Sequence, residues 1–300
     1  SIAIGDFIGK QTVRRTVTNV GQHASRYRIS VNAPVGFDAW VSPGTFKIPP
    51  GATQTFEVHF TRNSAPLNRY AFGSITWSDG QHSVRSPVAI LPRPLEVPGE
   101  VFSKGEPLKY SVKFGYEGRF KSTPRGLIPA LRNHRIVRDD PANEINTALA
   151  TGQGIVTIPV DVRPGATYAR FALFDADTDG DDDLDLYVFD PNGDFVAGSS
   201  STSSNEEVSV PMPIGGQYRV VIHGYETDGP DADFRLSSWI LGSEAEDNMV
   251  VSAPARAIVG ATRNVTLSFS GLKPGVRYLG SVAYSGAAAL PSPTLVRVDR

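Results

Sequence analysis

The feature that most constrains this chain is the period of its apolar residues. The longest stretches free of both glycine and proline are residues 52–65 and 166–179, of 14 residues each, and neither carries the 3.6-residue period of an amphipathic helix. In the first, Phe56, Val58 and Phe60 fall on one side while Thr55, Glu57 and His59 fall on the other. That alternation is the signature of a strand with one wet face. It recurs at Tyr27, Ile29 and Val31, at Leu108, Tyr110, Val112 and Phe114, and at Val265, Leu267 and Phe269. Turn signals such as Asp79-Gly80, Pro164-Gly165, Asn192-Gly193 and Pro274-Gly275 separate these runs at the spacing of sandwiches rather than of parallel α/β folds. The whole chain therefore reads as all-β: immunoglobulin- or fibronectin III-like β-sandwiches plus a jelly-roll β-sandwich.

Charge divides the 300 residues. Residues 1–93 carry 10 Lys/Arg against 4 Asp/Glu, and residues 94–133 carry 7 against 4. The sign reverses over residues 134–245, with 6 against 20, and returns over 246–300, with 6 against 3. The Pro-rich passage Ser86–Pro98 is expected to be the linker that ends the first unit, 1–93. Residues 94–133 and 246–300 each hold too few strands for a core, and together they have the size of one sandwich. Two arrangements follow: 94–133 plus 246–300 as one sandwich interrupted by the acidic unit 134–245, or three consecutive domains with a small last one. No basic stripe with interleaved aromatics points to nucleic acid, and no apolar run approaches the roughly 18 residues of a membrane span. Zero cysteines exclude a disulfide framework and thiolate chemistry. Ser1 opens without a charged and apolar leader, as expected of a mature or excised piece.

Three segments carry a family likeness. Thr16-Val17-Thr18-Asn19-Val20-Gly21, Pro34-Val35-Gly36-Phe37, Val41-Ser42-Pro43 and the run from Phe72 to Pro87 resemble the fibronectin type III-like domain that follows the catalytic domain of subtilisin-like serine proteases of the plant cucumisin type and their bacterial relatives. The run Phe171–Gly180, then Asp183–Val188, then Gly215–Gly224 is similar to a bacterial pre-peptidase C-terminal domain, a jelly roll found after secreted proteases. The run Ser270–Gly280 resembles the closing segment of such protease tails. The resemblance implies a secreted, extracellular, non-catalytic accessory region that partners the catalytic domain of its parent protease and aids secretion, maturation or substrate contact. The motifs that hold the catalytic Asp, His and Ser of a subtilase are absent, so the chain is not expected to be an enzyme.

One site stands out on charge alone. From Asp175 to Asp194 there are nine aspartates in twenty residues and no Lys or Arg. Alternating carboxylates with a glycine at the turn are how Ca2+ gathers hard oxygen ligands, and Asp175-x-Asp177-x-Asp179-Gly180 copies the opening of an EF-hand loop. The copy fails at its twelfth position, which is Leu186, so a strand-to-strand loop is the expectation, with Asp175, Asp177, Asp179, Asp181, Asp183 and Asp185 as ligands and Ca2+ as cofactor. A second acidic loop, Glu226–Asp233, shares those ions if it caps the same end. The bland alternative is a solvated loop. A competing function is a calcium-dependent module that anchors the protease on an insoluble polymer such as chitin, collagen or another glycan, by way of exposed aromatics. Trp77 and Trp239 are expected to be core instead.

Overall fold

The computed structural model describes all 300 residues and is all-β, with one short helix, Ile145–Thr151. Residues 2–92 make a two-layer sandwich. One layer orders Ile2–Phe7, Ser83–Pro92, Ala71–Ser78, Ser25–Asn32 and Thr45–Ile48; the other orders Lys10–Thr18, Thr53–Arg62 and Phe37–Ser42. Phe56, Val58 and Phe60 enter the core together with Ile75, Trp77 and Ile90. The Trp77 ring fills the space between the layers, 4.6 Å from Phe46 and 4.9 Å from Phe56. Its hairpin turns at Asp79-Gly80, where Asp79 Oδ1 accepts the Gln81 and His82 N–H groups at 3.0 and 2.6 Å.

The Pro-rich passage is not a linker. Ser83–Pro92 lies between two strands, and Val88 and Ile90 are buried in the core. Its prolines sit where the ladder needs least from them: Pro87 precedes the point at which Ile2 begins to pair with Val88, and Pro92 closes that pairing. Only Arg93 and Pro94 remain before Leu95–Glu96 pairs with Leu108–Phe114.

A second sandwich draws each layer from both sides of the acidic stretch. Glu100–Ser103, Thr294–Asp299, Arg277–Ser285 and Lys121–Pro129 form one layer; Met249–Ser252, Thr262–Phe269, Leu108–Phe114 and Leu95–Glu96 form the other. Its core mixes Tyr110, Val112 and Phe114 with Val265, Leu267, Val282 and Val296. A hydroxyl relay stitches the two stretches together: Tyr110 Oη lies 2.8 Å from Tyr284 Oη, which lies 2.6 Å from Thr294 Oγ1, which donates to the Pro98 carbonyl at 2.7 Å.

The acidic residues occupy a third sandwich of two four-stranded layers. Leu131–Arg138, Asp231–Leu241, Tyr168–Ala172 and Glu207–Pro211 form one; Ile155–Val162, Gly216–Glu226, Asp183–Phe189 and Phe195–Ser199 form the other. Counted along the chain these are strands 1-8-3-6 and 2-7-4-5, the order of a jelly roll. Its first strand opens at Leu131, three residues before the charge boundary.

Trp239 is buried at the junction rather than between the layers of its own sandwich. It clusters with Ala172, Leu241 and Leu279, the last from the second sandwich. Arg170, almost wholly buried, crosses the same junction to hold both oxygens of Glu100 at 2.9 and 2.6 Å.

Candidate functional site

Two connections cross between the layers of the jelly roll side by side. Residues 173–182 link the strand ending at Ala172 to the one starting at Asp183, and residues 227–230 link the strand ending at Glu226 to the one starting at Asp231. Backbone and carboxylate groups lace them together. Asp181 N donates to Asp228 Oδ2 at 3.3 Å, Asp228 N to Asp182 Oδ1 at 3.2 Å, and Asp233 N to Asp179 Oδ1 at 2.7 Å. Gly180 leaves room for the Asp228 carboxylate, which a β-carbon at that position would push aside.

The six aspartates expected to share a cation do not converge. Asp177 sits in a 3-10 turn, Asp175–Asp177, and is held by both Arg132 and Arg277, so it serves the junction with the second sandwich. Arg277 also stacks 3.9 Å over the Phe174 ring. Asp175 is bound by the Asn205 amide. Asp179 and Asp181 face the 226–233 connection. Asp183 keeps one carboxylate oxygen buried without a hydrogen-bond partner. Burial raises its pKa, with further push from Asp185, Glu206, Glu226 and Asp175. Nowhere are three Asp, Glu or His side chains gathered into a ready metal cage.

Asp185 belongs to a different constellation. Leu184, Leu186 and Val188 point into the core as the alternation requires, placing Asp185 on the outer face. That face is covered as well. Asp185 is buried, accepts the Tyr187 hydroxyl at 3.0 Å and lies 3.3 Å from His223 Nδ1. On the other side of the ring, His223 Nε2 is 2.9 Å from Asp140 Oδ2. Asp140 also accepts the Ala142 and Glu144 N–H groups at 3.1 and 3.0 Å. Burial by itself would depress the His223 pKa; the hydrogen bonds and charges of Asp185 and Asp140 overcome it and raise it. For Asp140 burial pushes upward, and the bonds from His223, Glu144 and Ala142 win, leaving the carboxyl below its ordinary value. Neither residue stands out in the sequence: His223 lies within the strand Gly216–Glu226 and Asp140 lies 83 residues before it. The signal was Asp140-Pro141 before a short helix whose Glu144 caps the Asn146 and Thr147 N–H groups, with a pKa lowered to about 2 by those bonds.

Beyond the acidic end, one hydroxyl–imidazole–carboxylate line exists. His59 Nδ1 is 2.9 Å from Thr12 Oγ1, while its Nε2 is 3.7 Å from Glu57, too far for a hydrogen bond. The imidazole is stacked under the exposed Trp40, ring centres 3.7 Å apart, on the outer surface of a sheet.

The architecture is that of three β-sandwiches joined through buried contacts. The first of them matches a known family: residues 1–90 match the family described as the fibronectin type-III domain. Over this region the chain is similar to subtilisin-like protease SBT3.6 of Arabidopsis thaliana, 37% identical over 91 residues, covering 30% of this chain and 12% of that protein. It is 40% identical over 95 residues to subtilisin-like protease SBT3.1 of the same plant, covering 31% and 12%, and 39% identical over 94 residues to its CO(2)-response secreted protease, covering 30% and 12%. The chain thus spans about an eighth of the length of these relatives. Among solved structures it aligns with the secreted serine protease VesC from Vibrio cholerae at 13% identity, over 82% of this chain and 50% of that one, with a TM-score of 0.23.

Proposed function

We propose that this chain is the non-catalytic accessory region of a secreted, extracellular subtilisin-like serine protease of bacterial type. Residues 1–93 support the parent's catalytic domain. The interrupted sandwich, 94–133 with 246–300, carries the acidic unit 134–245, a jelly roll of the pre-peptidase C-terminal kind that aids secretion, maturation or substrate contact. The observation that carries the reading is the match of residues 1–90 to one domain of subtilisin-like proteases. The jelly-roll strand order and the buried Arg170–Glu100 contact support a tail that acts as one body.

The test is expression of the parent protease with and without these 300 residues. The reading expects the isolated chain to hydrolyse no peptide and take no fluorophosphonate, and the catalytic domain to lose soluble, active yield when the region is removed. Stoichiometric labelling of a serine in this chain, or a catalytic domain indifferent to its removal, would overturn it. Retention of the chain on chitin or collagen but not on the catalytic domain would favour the anchoring role instead.

A further inference from the structure

Asp182 is only 5% exposed, and its Oδ2 has no hydrogen-bond partner. Its carboxylate is met by backbone N–H groups alone, that of Asp228 donating to Oδ1 at 3.2 Å and that of Gly180 lying close by. A carboxylate oxygen buried without a donor is costly, and chains rarely leave one so. No Lys, Arg or His pairs with it: Arg132 and Arg277 are held by Asp177, and His223 lies between Asp140 and Asp185. What faces Asp182 is more negative charge, from Asp228 and Asp179.

We propose that Asp182 and Asp228 hold a Ca2+ ion between the 173–182 and 227–230 connections, with backbone carbonyl oxygens and water supplying the rest of its shell. The site stands apart from the protease reading and from the EF-hand-like register, since Asp177 is spent on arginines. Only oxygen donors are at hand, which disfavours transition metals, and two crossing loops suit the six to eight flexible oxygens of Ca2+ better than the rigid octahedron of Mg2+. Asp228 is exposed, so the ion has a path in.

Calorimetric titration of the whole 300-residue chain with CaCl2 at low salt tests this, beside Asp182→Asn, Asp228→Asn and Asp177→Asn. The expected result is one tight equivalent of Ca2+, at least tenfold weaker Mg2+, and a melting temperature raised by about 10 °C at a hundredfold excess over Kd. Asp228→Asn and Asp182→Asn are expected to weaken Ca2+ at least tenfold, while Asp177→Asn changes it less than threefold. Because Asp228 is exposed, its variant keeps the test valid even where Asp182→Asn does not fold. No uptake by the wild type, uptake indifferent to Asp228→Asn, or an equal loss in Asp177→Asn would each overturn the proposal.

Discussion

The jelly roll buries carboxylates at two places and treats them in opposite ways. Asp140 and Asp185 are buried against His223, whose two ring nitrogens each face one of them. Asp182 is buried to a similar degree beside Asp228 and meets backbone N–H groups but no cation, with Oδ2 left unpartnered. Like charges that stay in a protein interior need a partner held at close range, from the chain or from solution. The first place has an internal answer; the second has no cation from the chain, and the proposed Ca2+ would supply one. Burial alone does not separate them, and neither does the density of aspartate along the sequence.

The largest expected effect breaks the internal answer. His223→Ala removes the imidazole and leaves Asp140 and Asp185 buried without a cation, so unfolding of the jelly roll should fall by about 3–5 kcal/mol. A denaturant melt that follows Trp239 fluorescence reads it, and a loss below about 1 kcal/mol would mean that the ring is packing rather than charge compensation. A smaller effect of opposite sign is expected at the second place. In chelator, Asp182→Asn removes an uncompensated charge and lets the amide donate to Asp228, raising stability by on the order of 1 kcal/mol. In millimolar Ca2+ the same variant should be the less stable protein.

Proton linkage sharpens the comparison with the smallest effect. The His223 pKa is raised from 6.5, so its stabilisation is complete below about pH 6.5 and drains away as pH climbs through the raised folded value. The Asp140 pKa is lowered from 3.8, so its share is present above that value and is lost as pH falls through the depressed one. The groups facing His223 are Asp140, Asp185 and the Tyr187 and Tyr225 rings, 6.5 and 6.1 Å away. Stability of the jelly roll should therefore decline as pH rises above about 6.5. That decline should flatten in His223→Gln, and an unchanged slope in the variant would assign it to other groups.

Sequence reading succeeded where periodicity decides the outcome. Alternation at Phe56–Phe60 and Leu184–Val188 fixes which residues enter a core, and Asp79-Gly80 and Asp190-Pro191-Asn192-Gly193 mark real turns, the latter with Asp190 Oδ1 accepting the Asn192 N–H at 2.8 Å. It failed where contacts join residues far apart along the chain. Asp177 looked like a ligand because its neighbours are acidic, yet Arg132 and Arg277 reach it from 45 and 100 residues away. Trp239 alternates like a core residue and is buried, but against Leu279 of another sandwich. Prolines at 87 and 92 read as a break because local sequence does not say how many neighbours a strand has. The helix at Ile145–Thr151 escaped notice because its seven residues give periodicity too little to work on.

Amide hydrogen exchange of the whole chain, with and without Ca2+, tests most directly whether the two buried carboxylate groups differ as described. The amides of Asp181, Asp228 and Asp233, which bind carboxylates of the crossing loops, should gain protection on adding Ca2+. Those of Ala142 and Glu144, which bind Asp140 beside His223, should exchange at the same rate in both conditions. Protection that rises equally at both places, or at Ala142 and Glu144 alone, would contradict the account.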